Sequence, residues 1–206
     1  MQGISEFIIE FTHTHKTSVN VLGVEMKINP YFEQPKHINR VGKVISVPLT
    51  ESDCPIAKGD EVLIIHTVLL DNIFSKTGRI TSNYLIDKNK NWARVEDSLV
   101  VAYRKNESER WTCYKDNVLI QPIPVEQKQK QWRGLNMPET VFEEELGYKN
   151  NQKQVGKIAF GNDLLKNISL NEGDTVVFKQ DREYEFEIDN QTYYHMNNCD
   201  ILLKIS

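Results

Sequence analysis

Two short segments combine a glycine with an apolar, a polar and a second apolar residue. They are Gly23-Val24-Glu25-Met26 and Gly134-Leu135-Asn136-Met137. In an extended strand, residues i and i+2 lie on one face, so the two apolar residues of each segment would point the same way and the polar residue away. This pattern favours docking into an apolar groove of a partner over covalent chemistry. The alternative is that both apolar pairs cap the end of a barrel.

The sequence lacks the residue combinations that catalysis or metal binding needs. His13-Thr14-His15 has the spacing of a metal pair on one strand face, but no third ligand is near it, which favours an exposed loop. Three widely spaced cysteines, Cys54, Cys113 and Cys199, form no CxxC pair and are typical of a reducing cytoplasm. No phosphate-binding glycine loop, Ser/His/Asp set or pair of catalytic carboxylates occurs. We expect no enzyme activity, no metal and no cofactor.

Charge and hydropathy bound the kinds of partner. The 206 residues carry a net charge of −4, whereas phosphate binding needs clustered excess Lys and Arg, so we expect no nucleic-acid partner. No apolar run approaches the roughly 20 residues that cross a bilayer, and the first residues lack the features of a secretory signal. We therefore expect a cytoplasmic protein without a membrane-spanning segment.

The elements that must position the two segments are short strands. Most apolar stretches are three to six residues long, rich in β-branched residues and separated by Gly, Asp, Asn and Pro, and long helical periodicity is nearly absent. Examples are Phe7–Phe11, Gly42–Val47, Glu61–Ile65, Leu99–Tyr103, Val118–Ile120, Gly156–Phe160, Thr175–Phe178 and Ile201–Ile205. The sequence therefore predicts an all-β protein of barrel or sandwich type.

Two motifs recur at one offset and indicate a duplication. Val41-Gly-Lys-Val44 returns as Val155-Gly-Lys-Ile158, an offset of 114 residues (155 − 41), and Gly59-Asp60 returns as Gly173-Asp174 at the same offset. The two docking segments are 111 residues apart (134 − 23), so a small insertion or deletion lies between. A Gly-Asp pair before a Val-rich strand predicts a tight turn, in which Gly takes positive φ and Asp caps backbone N–H groups. We predict two modules, residues 1–108 and 109–206.

The second module resembles the GroES co-chaperonin family. The segments that carry the resemblance follow the order of that family and are Lys115–Ile120, Val155–Gly161, Leu170–Phe178, Ile188–Met196 and Cys199–Leu203. The first module is similar but more diverged, with Phe7–Phe11, Arg40–Val44 and Ile56–Ile64 in the corresponding places, and it is longer than the family between His66 and Trp92. The resemblance implies two tandem GroES-like, partly open β-barrels.

The resemblance also implies a function. The family docks on a GroEL-type chaperonin through a mobile loop after the first strand, and both docking segments fall in that place, within loops at about 12–40 and 124–155. Their polar central residues depart from the apolar tripeptide of the family. The polar stretch Gln127–Arg133 cannot pack a core, so we expect it to be mobile in the free protein and to become a β-hairpin on binding. The implied partners are a nucleotide-bound chaperonin and further copies of the chain in a ring-like homo-oligomer.

Several alternatives remain open at this point. A GroES-fold assembly module that no longer binds chaperonin is one. A medium-chain dehydrogenase, which also contains a GroES-like domain, is disfavoured because the zinc ligands and the nucleotide-binding glycine motif are missing. Paired modules would fit a ring of three or four chains, or seven chains that each place one module in the ring. The segments Pro48–Pro55 and Asn162–Leu170 are too short for the roof hairpin of the family, which predicts an open or reduced roof.

Overall fold

The computed structural model describes residues 3–15, 17–21, 23–27, 29, 38–70, 72–75, 78–80, 83–124, 129–132, 135–138, 151–182, 184–189 and 191–205. The chain divides into two compact units, Met1–Tyr114 and Lys115–Ser206. Each unit is built on one antiparallel sheet that does not close on itself, so the predicted all-β class with two barrel-like units is confirmed. Within the described ranges, no helix is long and apolar enough to cross a membrane.

The first unit contains a seven-stranded sheet and two separate hairpins. The sheet strands are β1 (Phe7–Glu10), β4 (Val41–Ser46), β5 (Glu61–Ile64), β8 (Leu85–Asp87), β9 (Trp92–Val95), β10 (Val100–Arg104) and β11 (Thr112–Cys113). Their order across the sheet is β11-β10-β5-β4-β1-β9-β8. The hairpins pair β2 (Ser18–Val21) with β3 (Val24–Lys27) and β6 (Asn72–Ser75) with β7 (Gly78–Ile80). Short 3₁₀ helices span His66–Val68 and Asp97–Leu99.

The second unit contains a six-stranded sheet and one separate hairpin. The sheet strands are β12 (Asn117–Pro124), β15 (Asn151–Phe160), β16 (Thr175–Phe178), β17 (Tyr184–Ile188), β18 (Gln191–Asn197) and β19 (Ile201–Ile205). Their order is β17-β18-β12-β15-β16-β19. The hairpin pairs β13 (Gln129–Trp132) with β14 (Leu135–Pro138), helix α1 spans Asp163–Asn167, and a 3₁₀ helix spans Asn198–Asp200.

The two sheets share one strand order. From β10 to β8 the first sheet reads β10-β5-β4-β1-β9-β8, and the second reads β19-β16-β15-β12-β18-β17, which is the same sequence of equivalent strands. The registers agree as well, because Ile9 faces Val44 in the first unit and Ile120 faces Ile158 in the second, each next to a register shift. A 3₁₀ helix precedes the last sheet strand of each six-strand set.

Alternation along the strands builds a separate core in each unit. In β16, for example, Val176 and Phe178 are buried while Thr175 and Val177 are half-buried, as expected for a strand with one face on the core. Gly42 and Gly156 belong to the repeated Val-Gly-Lys motif, and both lie against the first strand of their sheet. A Cβ atom at Gly42 would meet Ile9 and lie 2.7 Å from the Phe11 ring, and one at Gly156 would meet Ile120 and lie 2.8 Å from the Gln121 carbonyl oxygen. This close approach is why glycine recurs there.

The repeated Gly-Asp pair forms the predicted turn in both units. Gly59 and Gly173 have φ of 98° and 89°, and their N–H groups donate to the carbonyl oxygens of Val44 and Ile158, both at 2.8 Å. The following aspartates cap the turn. Asp60 accepts a hydrogen bond at 2.8 Å from the backbone N–H three residues before it, and Asp174 does the same at the same distance.

A lysine completes each turn from a different position in the sequence. Lys105 Nζ donates to Asp60 Oδ2 at 2.8 Å and to the Pro55 carbonyl at 3.0 Å. In the second unit, Lys204 Nζ reaches Asp174 Oδ2 at 2.6 Å and the Ser169 carbonyl at 3.4 Å. Lys105 directly follows β10, whereas Lys204 lies within β19. The same two acceptor positions are therefore satisfied by side chains that the repeat offset does not align.

Candidate docking hairpins

The two predicted docking segments lie in equivalent hairpins. In each hairpin, a four-residue strand is joined by two residues to a second four-residue strand. Strand β2 and strand β13 start 111 residues apart, as do β3 and β14. Both hairpins follow the first strand of their sheet, β1 or β12, and precede the second, β4 or β15. The sequence and the fold thus place both segments at one topological position.

The first hairpin exposes its apolar residues. Val24 and Met26 are 63% and 52% exposed and alternate along β3, so both side chains lie on one face of the strand. The intervening Glu25 accepts a hydrogen bond from Ser18 Oγ at 2.7 Å across the hairpin. Gly23 has a φ of 86°, a conformation that glycine adopts without strain, and it closes the connection to β3. The apolar pair is therefore displayed to solvent and the polar residue is held on the other face.

The second hairpin has the same backbone pairing. Leu135 pairs with Trp132, Asn136 with Gln131, and Met137 with Lys130. Gly134 lies outside the described residues. The stretch predicted to be mobile contributes Gln129–Trp132 as a regular strand of the chain without any partner. The expected hairpin is therefore present before docking, whereas its mobility stays a prediction.

The segment predicted to be too short for a roof hairpin folds otherwise. Asn162 to Leu170 forms the five-residue helix α1 and the turn after it. Asn162 caps this helix, because its side-chain oxygen accepts a hydrogen bond from the Leu165 N–H at 3.0 Å, and its amide nitrogen donates to the Asn117 carbonyl at 2.7 Å. A buried asparagine therefore ties the short connection to the start of β12.

Two features of the described chain were not singled out from the sequence. The hairpin β6–β7 fills part of the stretch between His66 and Trp92 that is longer than in the family, and the length was the only signal for it. The second feature is the exposure of three apolar residues of β19, Leu202, Leu203 and Ile205. Their strand was predicted, but an apolar run alone cannot distinguish a covered strand from an edge strand.

The histidine pair and the cysteines have no metal-binding arrangement. His13 is exposed, and His15 Nδ1 lies 3.0 Å from the Thr14 hydroxyl. The cysteines are unpaired thiols. Among the described residues, no group of three or more His, Cys, Asp or Glu side chains could hold a metal ion. Chemistry at the hairpins is therefore confined to apolar contact and hydrogen bonding.

Comparison with known proteins identifies the second half of the chain. Residues 111–205 match the family model Cpn10, described as the chaperonin 10 Kd subunit, and the first unit lies outside the matched residues. The match extends from the residue before β11 to the end of β19. No curated protein matches the chain. The half of the chain that contains the second hairpin is therefore similar to the chaperonin 10 family, to which the GroES co-chaperonins belong.

Proposed function

We propose that this protein is a co-chaperonin that binds and caps a GroEL-type chaperonin ring in its nucleotide-bound state and thereby assists ATP-dependent folding. The observation that carries the proposal is the pair of equivalent hairpins, of which the first displays Val24 and Met26 to solvent at the place where the family has its docking loop. The similarity of residues 111–205 to the chaperonin 10 subunit supports the same partner. The protein itself performs no catalysis in this proposal, and the chaperonin hydrolyses the ATP.

The proposal includes a tandem duplication, so that each chain contributes two docking hairpins. Its support is the shared order of six strands, the shared register shift and the shared Gly-Asp turn. These features involve backbone hydrogen bonds at equivalent positions and extend over the whole length of both units. The first unit would thus be a second, diverged copy of the chaperonin 10 fold.

Apolar burial sets the strength of a single docking event. Full burial of a Val or Met side chain stabilises by about 1.5–3 kcal/mol, so one hairpin with two such residues gains about 3–6 kcal/mol before the costs of association. Those costs are of the same order or larger, so one hairpin binds weakly. Several hairpins on one assembly bind together with far higher avidity. Weak single contacts and strong collective binding let a lid leave once in each nucleotide cycle.

Collective binding requires several copies of the chain. We propose a ring-like homo-oligomer, since head-to-tail contacts between identical chains close around a rotation axis. Three or four chains would present six or eight units. Seven chains, each with one unit in the ring, would present seven.

One observation favours a second candidate, a structural assembly module with the GroES fold that does not bind chaperonin. Both hairpins are regular β-structure in the chain without a partner. A loop that is already structured has less need of a chaperonin groove to order it. The two candidates differ in a single measurable property, which is nucleotide-dependent binding to a chaperonin.

The test is size-exclusion chromatography of the protein mixed with a GroEL-type chaperonin, with ATP, with ADP and without nucleotide. We expect co-elution only with nucleotide. The variant Leu135→Asp with Met137→Asp should lose co-elution, because unpaired charges cannot enter an apolar groove. The matched control, Asn136→Asp, adds a charge one position away on the other face and should still co-elute. Absence of binding by the folded wild type would favour the assembly module.

A further inference from the structure

The last strands of the two sheets occupy equivalent positions but differ in their surroundings. Aligned by their pairing with β5 and β16, Val101 corresponds to Leu202, Ala102 to Leu203, and Arg104 to Ile205. Val101 and Ala102 are fully buried, and the Arg104 side chain is largely covered. Leu202, Leu203 and Ile205 are 54%, 55% and 43% exposed. The more apolar of the two strands is therefore the exposed one.

The segment Trp111–Tyr114 buries the strand of the first unit. Strand β11 pairs with β10, with Cys113 opposite Ala102 and Thr112 opposite Tyr103. The Tyr114 N–H continues this pairing by donating to the Val101 carbonyl at 2.9 Å.

Side chains complete this cover. The Arg104 guanidinium stacks over the Trp111 ring at 4.5 Å. The Tyr114 ring meets those of Phe7 and Tyr103 edge to face. A strand that directly precedes β12 in the chain therefore closes the edge of the preceding sheet.

The corresponding edge of the second unit has no such cover. Strand β19 pairs with β16 alone in the described sheet and ends the strand order. An edge strand presents backbone N–H and C=O groups that can pair with another strand. On β19 these groups lie among three exposed apolar side chains, a combination that proteins usually avoid unless another chain covers it.

We propose that a second copy of this chain covers β19 by adding the segment before its own β1, in the place that Trp111–Tyr114 takes on β10. The inference rests on the duplication contained in the proposed function. Trp111–Tyr114 precedes β12, and the equivalent of β12 is β1, so the equivalent covering segment is the start of the first unit. That segment offers Ile4, which is 72% exposed and lies three residues before β1.

The proposed contact joins two different surfaces, the last strand of one copy and the start of another. Such a head-to-tail contact repeats from copy to copy and closes into a ring when the rotation permits. It also makes every unit equivalent, because the last strand of each sheet is then covered by the segment that precedes a first strand. The assembly of the proposed lid would arise from the same pairing that the first unit already contains.

The first experiment measures the mass of the protein in solution by analytical ultracentrifugation, in the absence of chaperonin. We expect an oligomer for the wild type and a monomer for Leu203→Glu, since a buried carboxylate without a partner opposes docking. The matched control is Leu164→Glu, which changes a residue that is 52% exposed in the same unit but outside β19, and it should remain oligomeric. Far-UV circular dichroism checks that each variant is folded.

A second experiment identifies the occupant. Ile4→Glu should also be monomeric, and mixing it with Leu203→Glu should restore one intact contact and give heterodimers but nothing larger. A monomeric wild type, or an oligomeric Leu203→Glu, overturns the proposal. An oligomeric Ile4→Glu overturns the assignment of the first unit as occupant. Because no chaperonin is present, these outcomes are independent of whether the hairpins bind one.

Discussion

The two units show how far sequence can diverge while the strand order stays the same. Both contain the same six strands, the same turn with a capping aspartate, and a hairpin at the same place. The first has an additional edge strand, β11, and an additional hairpin, β6–β7. The shared parts are those in which backbone hydrogen bonds and close packing allow few residue types. The differing parts lie at edges and connections, where a fold tolerates additions.

The comparison also separates display from closure. Both units present a hairpin, but only the first has a covered final strand. The two properties therefore depend on different residues, Val24 and Met26 for display and Trp111–Tyr114 for closure. They can be changed independently, which makes the comparison testable.

The largest expected effect concerns the hairpins. Val24→Asp with Met26→Asp removes apolar docking from the first unit, and Leu135→Asp with Met137→Asp removes it from the second. If both hairpins dock, each double variant should weaken chaperonin binding by at least about tenfold, because half of the linked contacts are lost. Titration by surface plasmon resonance measures both. Unchanged binding of the first-unit variant would show that docking belongs to the second unit alone, and Glu25→Gln is the control for altered charge.

The next effect concerns the glycines that contact the first strand of each sheet. Gly156→Ala should destabilise the protein by about 1–3 kcal/mol, because the added methyl group meets a backbone oxygen that cannot rotate away. Gly42→Ala meets side chains only and should cost less, although Ile9 and Phe11 are buried. Urea unfolding measures the difference. A larger loss for Gly42→Ala would show that the core of the first unit is the more rigid.

A third effect is confined to the first unit. The Tyr114 hydroxyl donates to Asp97 Oδ1 at 2.7 Å and lies 3.7 Å from Cys54 Sγ, and burial together with the Asp97 hydrogen bond raises the pKa of Tyr114 above its usual value of 10.0. Tyr114→Phe should cost about 1–2 kcal/mol at neutral pH.

The raised pKa also determines how stability depends on pH. The folded state holds its proton more tightly than the unfolded state, so stability is retained below pH 10 and falls as the pH rises above that value. Tyr114→Phe should lack this alkaline loss, which thermal unfolding between pH 8 and pH 11 would reveal. Equal alkaline slopes for the two proteins would contradict the assignment.

The smallest effect compares the two lysines that complete the turns. Lys105→Met removes the partner of Asp60, whose carboxylate is buried, and should cost less than about 1 kcal/mol because the ammonium group is half exposed. Lys204→Met should have a smaller effect, since Asp174 is more exposed.

The second pair also gives an acid dependence. The Lys204 hydrogen bond, and then the Asn171 N–H, lower the pKa of Asp174 below its usual 3.8. Its contribution is therefore present above that pH and is lost as the pH falls. Stability measured between pH 2 and pH 5 should lose this component in Lys204→Met, whereas a wild-type acid profile in the variant would contradict the pairing.

Much of the fold could be predicted from the sequence because its strongest signals are local or repeated. Short β-branched runs predicted the strands, and Gly59-Asp60 and Gly173-Asp174 predicted turns that the structure contains. The docking segments were placed in one topological position by their offset of 111 residues. The hairpin β6–β7 was not predicted, because its residues carry no repeated motif. The lysines were not predicted either, because Lys105 and Lys204 reach equivalent atoms from positions that the repeat does not align.

By itself the sequence determined the β-structure, the two related units and the apolar–polar–apolar alternation of the docking segments, since each depends on residues close in the chain or on an exact spacing. Only the tertiary structure decided which strand lies at an edge and which side chains reach solvent. Ala102 and Leu203 belong to similar apolar runs, yet one is buried and the other exposed, because burial depends on whether a strand from elsewhere in the chain pairs alongside. That pairing is a long-range contact, which the pattern within a strand does not encode.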